Sequence, residues 1–348
     1  LQNNVATRLL MLYTVQKDMA MTLKDLSEKI HVSPSTISRV MNNKPGISER
    51  TRNRVFEALK EQGMHSSTWK VKQAGSDARF IGLIVRARGE EQDNIFYQTS
   101  IQGCEVELNK HNIISIPLVY TDEKGLSFEN SPIAVERFQG FILRGQSIPT
   151  ECIASLQRYN VPIILLENDN ENFELDSIRC NNRQLACSMT EHLIAKGYTR
   201  IFHITGPKNW YNNSERINGY RQALSQCRMK PEILNMKDTT LRTGRDAFLE
   251  YGNMLKGAGI FFVNDAMAIG FLDEAKKAGL YAPNDFAIAG FDDIPWATLS
   301  HPALTTAHVD VKGMARIAAI RMIDLLDGHG TPTIKVEMKG RLVIRQTT

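Results

Sequence analysis

From Phe80 onward the chain alternates short, unbroken apolar runs with segments of helical period. The runs Phe80–Val85, Ile113–Tyr120, Phe138–Leu143 and Pro162–Leu166 are followed by Ser177–Cys180, Arg200–Thr205, Gly259–Val263 and Asp285–Gly290. Between them the spacing predicts helices at Phe96–Lys110, Arg183–Lys196, Ser214–Cys227, Asp265–Lys277 and Gly313–Leu326. A strand that is apolar on both faces has to be buried on both, and connecting helices are what bury it. The pattern therefore demands parallel sheets covered on each side. Domains cluster near ~100–150 residues, so the 270 or so residues of this body divide into two doubly wound subdomains.

Ahead of the body lies a segment of different character. Leu23, Leu26 and Ile30 recur at helical spacing, with Thr22 placed to cap their helix. After His31-Val32, Ser33 can cap a second helix and Pro34 occupies its first position, where the missing N–H is not needed. Ile37, Val40 and Met41 form its buried stripe, and Asn42-Asn43-Lys44-Pro45-Gly46 ends it. Ser48 opens a third helix with Val55, Phe56 and Leu59 inward, stopping at Gly63. Two short helices joined tightly, with a third behind them, make a helix-turn-helix. Ser35, Thr36, Ser38, Arg39 and Asn42 lie on the exposed face of the second helix. Hydroxyls and amides suit phosphate oxygens, and an arginine can grip guanine O6 and N7 together.

Charge follows the same division. Between Met21 and Gln73 ten Lys or Arg stand against five Asp or Glu, whereas the whole chain holds 42 against 38. A basic head on a slightly acidic body is the footprint of a nucleic-acid-binding module joined to something else. The five cysteines, Cys104, Cys152, Cys180, Cys187 and Cys227, are odd in number and include no C-x-x-C. That argues against a disulfide framework or thiolate zinc site and fits a reducing cytoplasm. No run approaches the ~20 apolar residues of a membrane span. The patch Leu9–Val15 lacks a cleavage signal, so residues 1–20 read as neither leader nor anchor.

The head resembles that of the LacI/GalR repressors. The resemblance is carried by Thr22-Leu23-Lys24-Asp25-Leu26, by Val32-Ser33-Pro34-Ser35-Thr36-Ile37-Ser38-Arg39-Val40-Met41-Asn42 and by Ile47-Ser48-Glu49-Arg50-Thr51-Arg52-Asn53-Arg54-Val55. It implies that Pro34, Ser35 and Arg39 sit where the family reads base edges, and that Ser33, Thr36 and Asn42 sit where it holds phosphates. The family's reading frame commonly begins just before the Thr-Leu-Lys-Asp motif. Met21 is then the expected start of the head (21–63), and residues 1–20 an N-terminal extension or arm. The family's linker carries an alanine and a wedging leucine where this chain, over 64–78, has Lys70 and Gln73. Glutamine cannot wedge between base steps as leucine does. Lys70 and Lys72 still offer charge to phosphates, and Trp69 or Val71 is the candidate replacement wedge.

The body resembles the same family and, through it, the periplasmic sugar-binding fold. Its markers are Gly206-Pro207, Arg216-x-x-Gly219-Tyr220, Asn264-Asp265-x-x-Ala268-x-Gly270, Gly290-Phe291-Asp292-Asp293-Ile294-Pro295 and Pro302-Ala303-Leu304-Thr305-Thr306. The implied body (79–348) has a first subdomain of about 79–177 plus 309–338, and a second of about 178–308 plus 339–348. Three chain crossings form a cleft between them. Arg216, Asn264 and Asp292 match the family's effector-contacting positions. A guanidinium, an amide and a carboxylate suit the vicinal hydroxyls of a sugar, with Phe96, Tyr97, Trp210 and Trp296 as candidate covers for its apolar face. Each has a plainer reading: Asp292 capping a turn, Asn264 closing a strand end, Arg216 in a surface ion pair, the aromatics in the core. Asn181-Asn182-Arg183 departs from the family's commoner Asp-Asn-x-x-Gly.

The expectation is a cytoplasmic, nucleoid-associated regulator, a repressor, binding a pseudo-palindromic double-stranded operator as a homodimer under control of a small molecule, preferably a sugar. No heptad extension precedes Thr348, so a dimer rather than a coiled-coil tetramer is expected. The alternatives are a purine-like corepressor in the same cleft and a solute-binding protein with weak DNA function. No G-x-S-x-G, H-E-x-x-H or phosphate-gripping Gly-rich lysine motif is present, so neither an enzyme nor a cofactor is expected. The eight histidines, including His192, His203, His301 and His308, lack ligand spacing, and no metal is expected.

Overall fold

The computed structural model describes residues 23–41, 46–48, 50–52, 54–55, 58, 78–86, 92–128, 131–145, 148–170, 172–330 and 332–348. The expected extension 1–20, Thr22, Asn42 and the whole linker run with Trp69, Lys70, Val71, Lys72 and Gln73 lie outside the described residues. So do the side chains of Phe96 and Tyr97, although their backbone is helical.

In the head, α1 (Leu23–Ile30) and α2 (Pro34–Met41) are joined by a turn in which His31 adopts the left-handed region at φ 46°. Leu26, Val32, Ile37, Val40, Val55 and Ala58 close a small core of their own. The segment after Ser48 is helical where described, and Ser48 Oγ accepts from Thr51 N (3.2 Å), the expected cap. Arg54 Nη2 donates to the carbonyls of Ile30 (2.6 Å) and His31 (3.1 Å), tying that segment to the turn.

The body holds two parallel sheets. The first has strand order β12-β6-β5-β4-β1-β2-β3. Its members are β1 (Arg79–Arg86), β2 (Ile113–Thr121), β3 (Gly125–Leu126), β4 (Phe138–Arg144), β5 (Ile163–Leu166), β6 (Asp176–Cys180) and β12 (Lys335–Met338). Only β3 runs antiparallel. The helices α3 (Gln92–Lys110) and α10 (Val311–Leu326) cover one face, and α4 (Thr150–Gln157) the other. The second sheet, ordered β10-β9-β7-β8, comprises β7 (Ile201–Thr205), β8 (Glu232–Asn235), β9 (Gly259–Phe262) and β10 (Ala287–Ala289). The pair α5 (Asn182–Ala195) and α6 (Tyr211–Gln226) lies on one face. The other carries α7 (Leu241–Tyr251), α8 (Asp265–Lys277) and α9 (Pro295–Leu299).

The eight strands and five helices expected from the apolar rhythm all form, with ends shifted by a few residues. Motif residues explain the close packing. A Cβ on Gly219 would stand 2.1 Å from the Arg183 carbonyl, so the glycine of Arg-x-x-Gly-Tyr lets α6 cross α5. Tyr220 beside it donates its hydroxyl to the carbonyl of Ile201 (2.6 Å).

The crossings between sheets differ in detail from the expected boundaries. β6 stays in the first sheet to Cys180, past the expected division after Ser177. β12 returns to pair with β6, held by Arg179 Nη2 on Glu337 (2.8 Å) and, just before the strand, by Ile334 N on Asp176 Oδ1 (2.6 Å). The closing strand β13 (Arg341–Val343) joins neither large sheet but pairs antiparallel with β11 (Thr306–His308). One apolar cluster runs through both subdomains, from Ile81, Ile142 and Ile164 across Leu185 and Tyr220 to Phe261 and Phe291.

Candidate functional site

The reading face of α2 is built locally. Ser33 Oγ accepts from Thr36 N (3.1 Å) and lies within hydrogen-bond distance of the Thr36 (2.8 Å) and Ser35 (2.9 Å) hydroxyls. The cap therefore orients two neighbouring hydroxyls as well as satisfying a helix-end N–H. Ile37 and Val40 are fully buried behind it, and Ser33, Pro34, Ser35 and Arg39 are exposed, with Thr36 half-buried. Five of the six expected contact residues on this helix are thus presented on one outward face, and Asn42 is outside the described residues.

The second site lies where the chain crosses between the sheets. Arg216, on α6, is 6% exposed and donates in three directions. Nε reaches Asn182 Oδ1 (2.9 Å), Nη1 the Val263 carbonyl (2.5 Å) and Nη2 Asp292 Oδ1 (3.3 Å), while the guanidinium lies 3.7 Å from the centre of the Phe291 ring. This is a buried ion pair, not the surface pair of the plainer reading. Burial pushes the Asp292 carboxyl up to about 7, against the opposing pull of the Arg216 charge.

Asp292 sits at φ 115° and Asp293 at φ 58°, both left-handed and unfavourable for a residue with a side chain. The loop is held there from several sides. Asp292 N donates to Ala307 O (2.8 Å) and Gly290 N to Thr305 O (2.8 Å). Asp293 accepts from Arg345 Nη2 (2.6 Å) and from His308 Nδ1 (2.9 Å). Asp265, fully buried at the start of α8, accepts from Ile294 N (2.9 Å) and from the Thr306 hydroxyl (2.5 Å). Burial, then the charge of Asp292, raise its carboxyl well above the usual range.

Asn264 has a structural task. It caps α8, with Oδ1 accepting from Met267 N (2.9 Å) and Nδ2 donating to Thr239 O (2.8 Å). Trp210 stands half-buried just before α6, the helix that carries Arg216. Trp296 requires a correction. Pro295 starts the short α9, and Trp296 turns onto the outer side of α8 in a surface groove with Ile269, Leu272 and Leu299. It packs on the core of the second subdomain and is not brought to the Arg216 cluster.

Two residues absent from the sequence-based set complete the cluster. Arg144, ending β4, pairs through Nε with Glu167 Oε2 (2.9 Å), just past β5, and both side chains are largely buried. The charges of Glu167 and Arg144, carried by the first subdomain, are felt at the Asp292 carboxyl, the one raising it and the other lowering it. Glu167 is also left-handed, at φ 58°. The histidines serve the fold: His203 is fully buried with Nδ1 2.9 Å from the Phe261 carbonyl, its ring pushed down to about 3 by burial, and His192 lies 2.9 Å from the Thr348 hydroxyl. No group of His, Cys, Asp or Glu able to hold a metal occurs among the described residues. No helix among them is long and apolar enough to cross a membrane.

Residues 22–67 match the bacterial regulatory proteins of the lacI family, and residues 190–348 the periplasmic binding protein-like domain. The chain therefore carries a lacI-type helix-turn-helix head and a periplasmic-binding-protein-like body. It is similar to the HTH-type transcriptional repressor CytR of Escherichia coli K12, 27% identical over 338 residues that cover 96% of this chain and 98% of the relative. Catabolite control protein A of Priestia megaterium is also 27% identical, covering 95% of this chain and all of the relative. Among solved structures, a complex of the transcriptional regulator CelR with cellobiose superposes with a TM-score of 0.67 at 22% identity, over 94% of this chain and 99% of that one. The Lac repressor dimer bound to operator and the anti-inducer ONPF gives a TM-score of 0.67 at 21% identity, over 94% and 98%. The chain thus joins a lacI-type DNA-binding head to a ligand-binding type of body, the plan of transcriptional repressors that are not enzymes.

Proposed function

We propose that this LacI-family repressor binds a pseudo-palindromic operator as a homodimer in the cytoplasm, at the nucleoid, and is switched by a sugar held between its two subdomains. The observation that carries the reading is the facing of two carboxylate–guanidinium pairs, Arg216 with Asp292 and Arg144 with Glu167, from opposite sides of the crossing. Carboxylates accept from hydroxyls and guanidiniums donate to them, so four such groups can satisfy a polyol from both sides at once. Glu167 and Asp292 each keep a backbone conformation that costs on the order of 1–3 kcal/mol, a cost that gathers at ligand sites and switches. The relatives support the same assignment: a CelR structure holds cellobiose, and a LacI-family regulator of Enterococcus faecium holds ribose.

The switch follows from linkage. A ligand that touches both pairs binds the closed arrangement better than the open one and biases how the first subdomains hold the heads. Ser33, Thr36 and Asn42 hold phosphates while Pro34, Ser35 and Arg39 meet base edges, with Lys70 and Lys72 adding charge to the backbone contacts. On the effector, Arg216 and Asp292 grip hydroxyls, and Trp210, Phe96 and Tyr97 cover the ring.

A thermal-shift screen of the purified protein against sugars, sugar phosphates and purines tests this. Ligand at a hundredfold excess over Kd stabilises the folded state by about 2.7 kcal/mol. A sugar that raises Tm and alters operator retention, with both effects lost in Arg216→Ala, is the expected result. A purine hit alone, or a sugar hit indifferent to Arg216, would overturn the reading.

A further inference from the structure

Beneath Arg144 the first subdomain holds a small cavity between α3 and the ends of β1, β4 and β5. Arg144 and Val85 stand at its more exposed end, whereas Cys104 and Ser100 are almost wholly buried. Its walls are otherwise apolar, formed by Leu83, Ile101, Ile142 and Leu166. Arg144, which pairs with Glu167, and Leu166, which immediately precedes it, both line the cavity, so the space adjoins that carboxylate.

Besides Arg144, two polar side chains line this space, and their situations differ. The Cys104 thiol donates to the Ala315 carbonyl (3.3 Å), and burial pushes it up to about 12, so it is a partnered, inert neutral group. Ser100 Oγ, on a residue 3% exposed, has no hydrogen-bond partner among the described residues. A buried hydroxyl left unpaired is costly, and natural proteins rarely tolerate one without a ligand or water to meet it. The room is about that of a single water-sized group.

We propose that this cavity receives the exocyclic hydroxymethyl arm of a pyranose, with Ser100 as the hydrogen-bond partner of its hydroxyl, so that the cleft selects hexopyranoses over pentopyranoses and 6-deoxyhexopyranoses. The proposal rests on the sugar reading above and names the class of sugar. The space takes one water-sized group, so the hydroxyl enters it while the methylene stays at its edge, and a second ring is excluded. The methylene meets the apolar side chains of Ile142 and Leu166, and the hydroxyl both donates to and accepts from Ser100 as the two rotate to suit. A bare methyl occupies the edge but leaves Ser100 unpaired. A pentose fills neither position.

The test is calorimetric titration of the full chain with two matched sets: D-glucose, 6-deoxy-D-glucose and D-xylose, and D-galactose, D-fucose and L-arabinose. In the set that binds, the hexose is expected to bind roughly 10- to 100-fold more tightly than its 6-deoxy and pentose partners, the size of effect a lost methylene or an unpaired hydroxyl produces. In Ser100→Ala the order of hexose and 6-deoxyhexose should collapse or reverse, with the 6-deoxy sugar bound at least as tightly as before, which also proves the variant folded. Ser100→Val, which fills the space, should remove the advantage of both six-carbon sugars over the pentose. Equal binding within a set, or a hexose preference untouched by either substitution, overturns the proposal and leaves the sugar reading standing. Silence from both sets, with purine binding in the screen, overturns both together.

Discussion

Ser33 reaches three residues along the chain to hold the first turn of α2, and everything that shapes the reading face lies between Leu23 and Ala58. Asp292 is placed differently. Arg216, its ion-pair partner, lies 76 positions earlier, and Arg345, which holds the adjacent Asp293, lies 52 positions later. The reading face needs only a cap, a proline and a buried stripe. The cleft needs several distant segments to arrive together. Damage to the first should therefore stay local, and damage to the second should spread through the body.

The largest expected effect is on the long-range side. Arg216→Ala leaves Asp292 and Asn182 buried without their partner, and breaking a buried pair in this way costs about 3–5 kcal/mol. Denaturant unfolding should show that loss in the body's transition, with effector binding gone. If the body's stability is unaltered, the contrast between local and distributed construction fails. Arg39→Ala should weaken operator binding by about 1–3 kcal/mol and relax the preference at one base pair, read by competition with single-base operator variants. It should leave the body's melting untouched. Uniform weakening across all variants would make Arg39 a phosphate contact.

Ser33→Ala removes a cap worth about 1 kcal/mol. The loss should appear as fraying of α2 in amide exchange and as weaker operator binding, and the body's exchange should not respond. The finest test uses acidity. The Asp292 carboxyl lies near 7 in the folded protein and near 3.9 in an unfolded chain. A raised carboxyl leaves stability intact below the unfolded value and erodes it as pH climbs through the folded one. Relative to Asp292→Asn, the parent should therefore lose stability between about pH 4 and pH 7 and run parallel above that. Parallel curves from pH 4 upward would mean that Asp292 is not held in a buried, charge-averse setting.

The two regions also differ in how far they could be read from sequence. The caps Ser33 and Ser48 and the stripe Ile37–Val40 declare themselves through local spacing. Arg216 and Asp292 were legible through the motifs around them, whose glycines reflect close helix packing. Arg144 and Glu167 were not, because each merely ends a strand, and nothing in their neighbours reveals which strand ends will face each other. Trp296 shows the converse: a bulky apolar residue near a site motif carries no mark of direction, and Pro295 turned it outward. Lys335–Met338 escaped notice because its side chains alternate between exposed and half-buried, so it lacks the unbroken apolar run that marked the central strands. Asn264 also has a local task that its motif did not reveal, capping α8 with both ends of its amide on backbone.

The return of β12 to the first sheet has a consequence for how the protein is made. Arg179 and Glu337, which bind β6 to β12, stand 158 positions apart in order of synthesis. Domains fold as they emerge from the ribosome, at roughly 5–20 residues per second, and the described core residues of the head all lie between Leu26 and Ala58. For many seconds a growing chain therefore carries a finished reading face on a sensing body whose first sheet still lacks an edge. Such a chain presents its reading helix before the body behind it is whole.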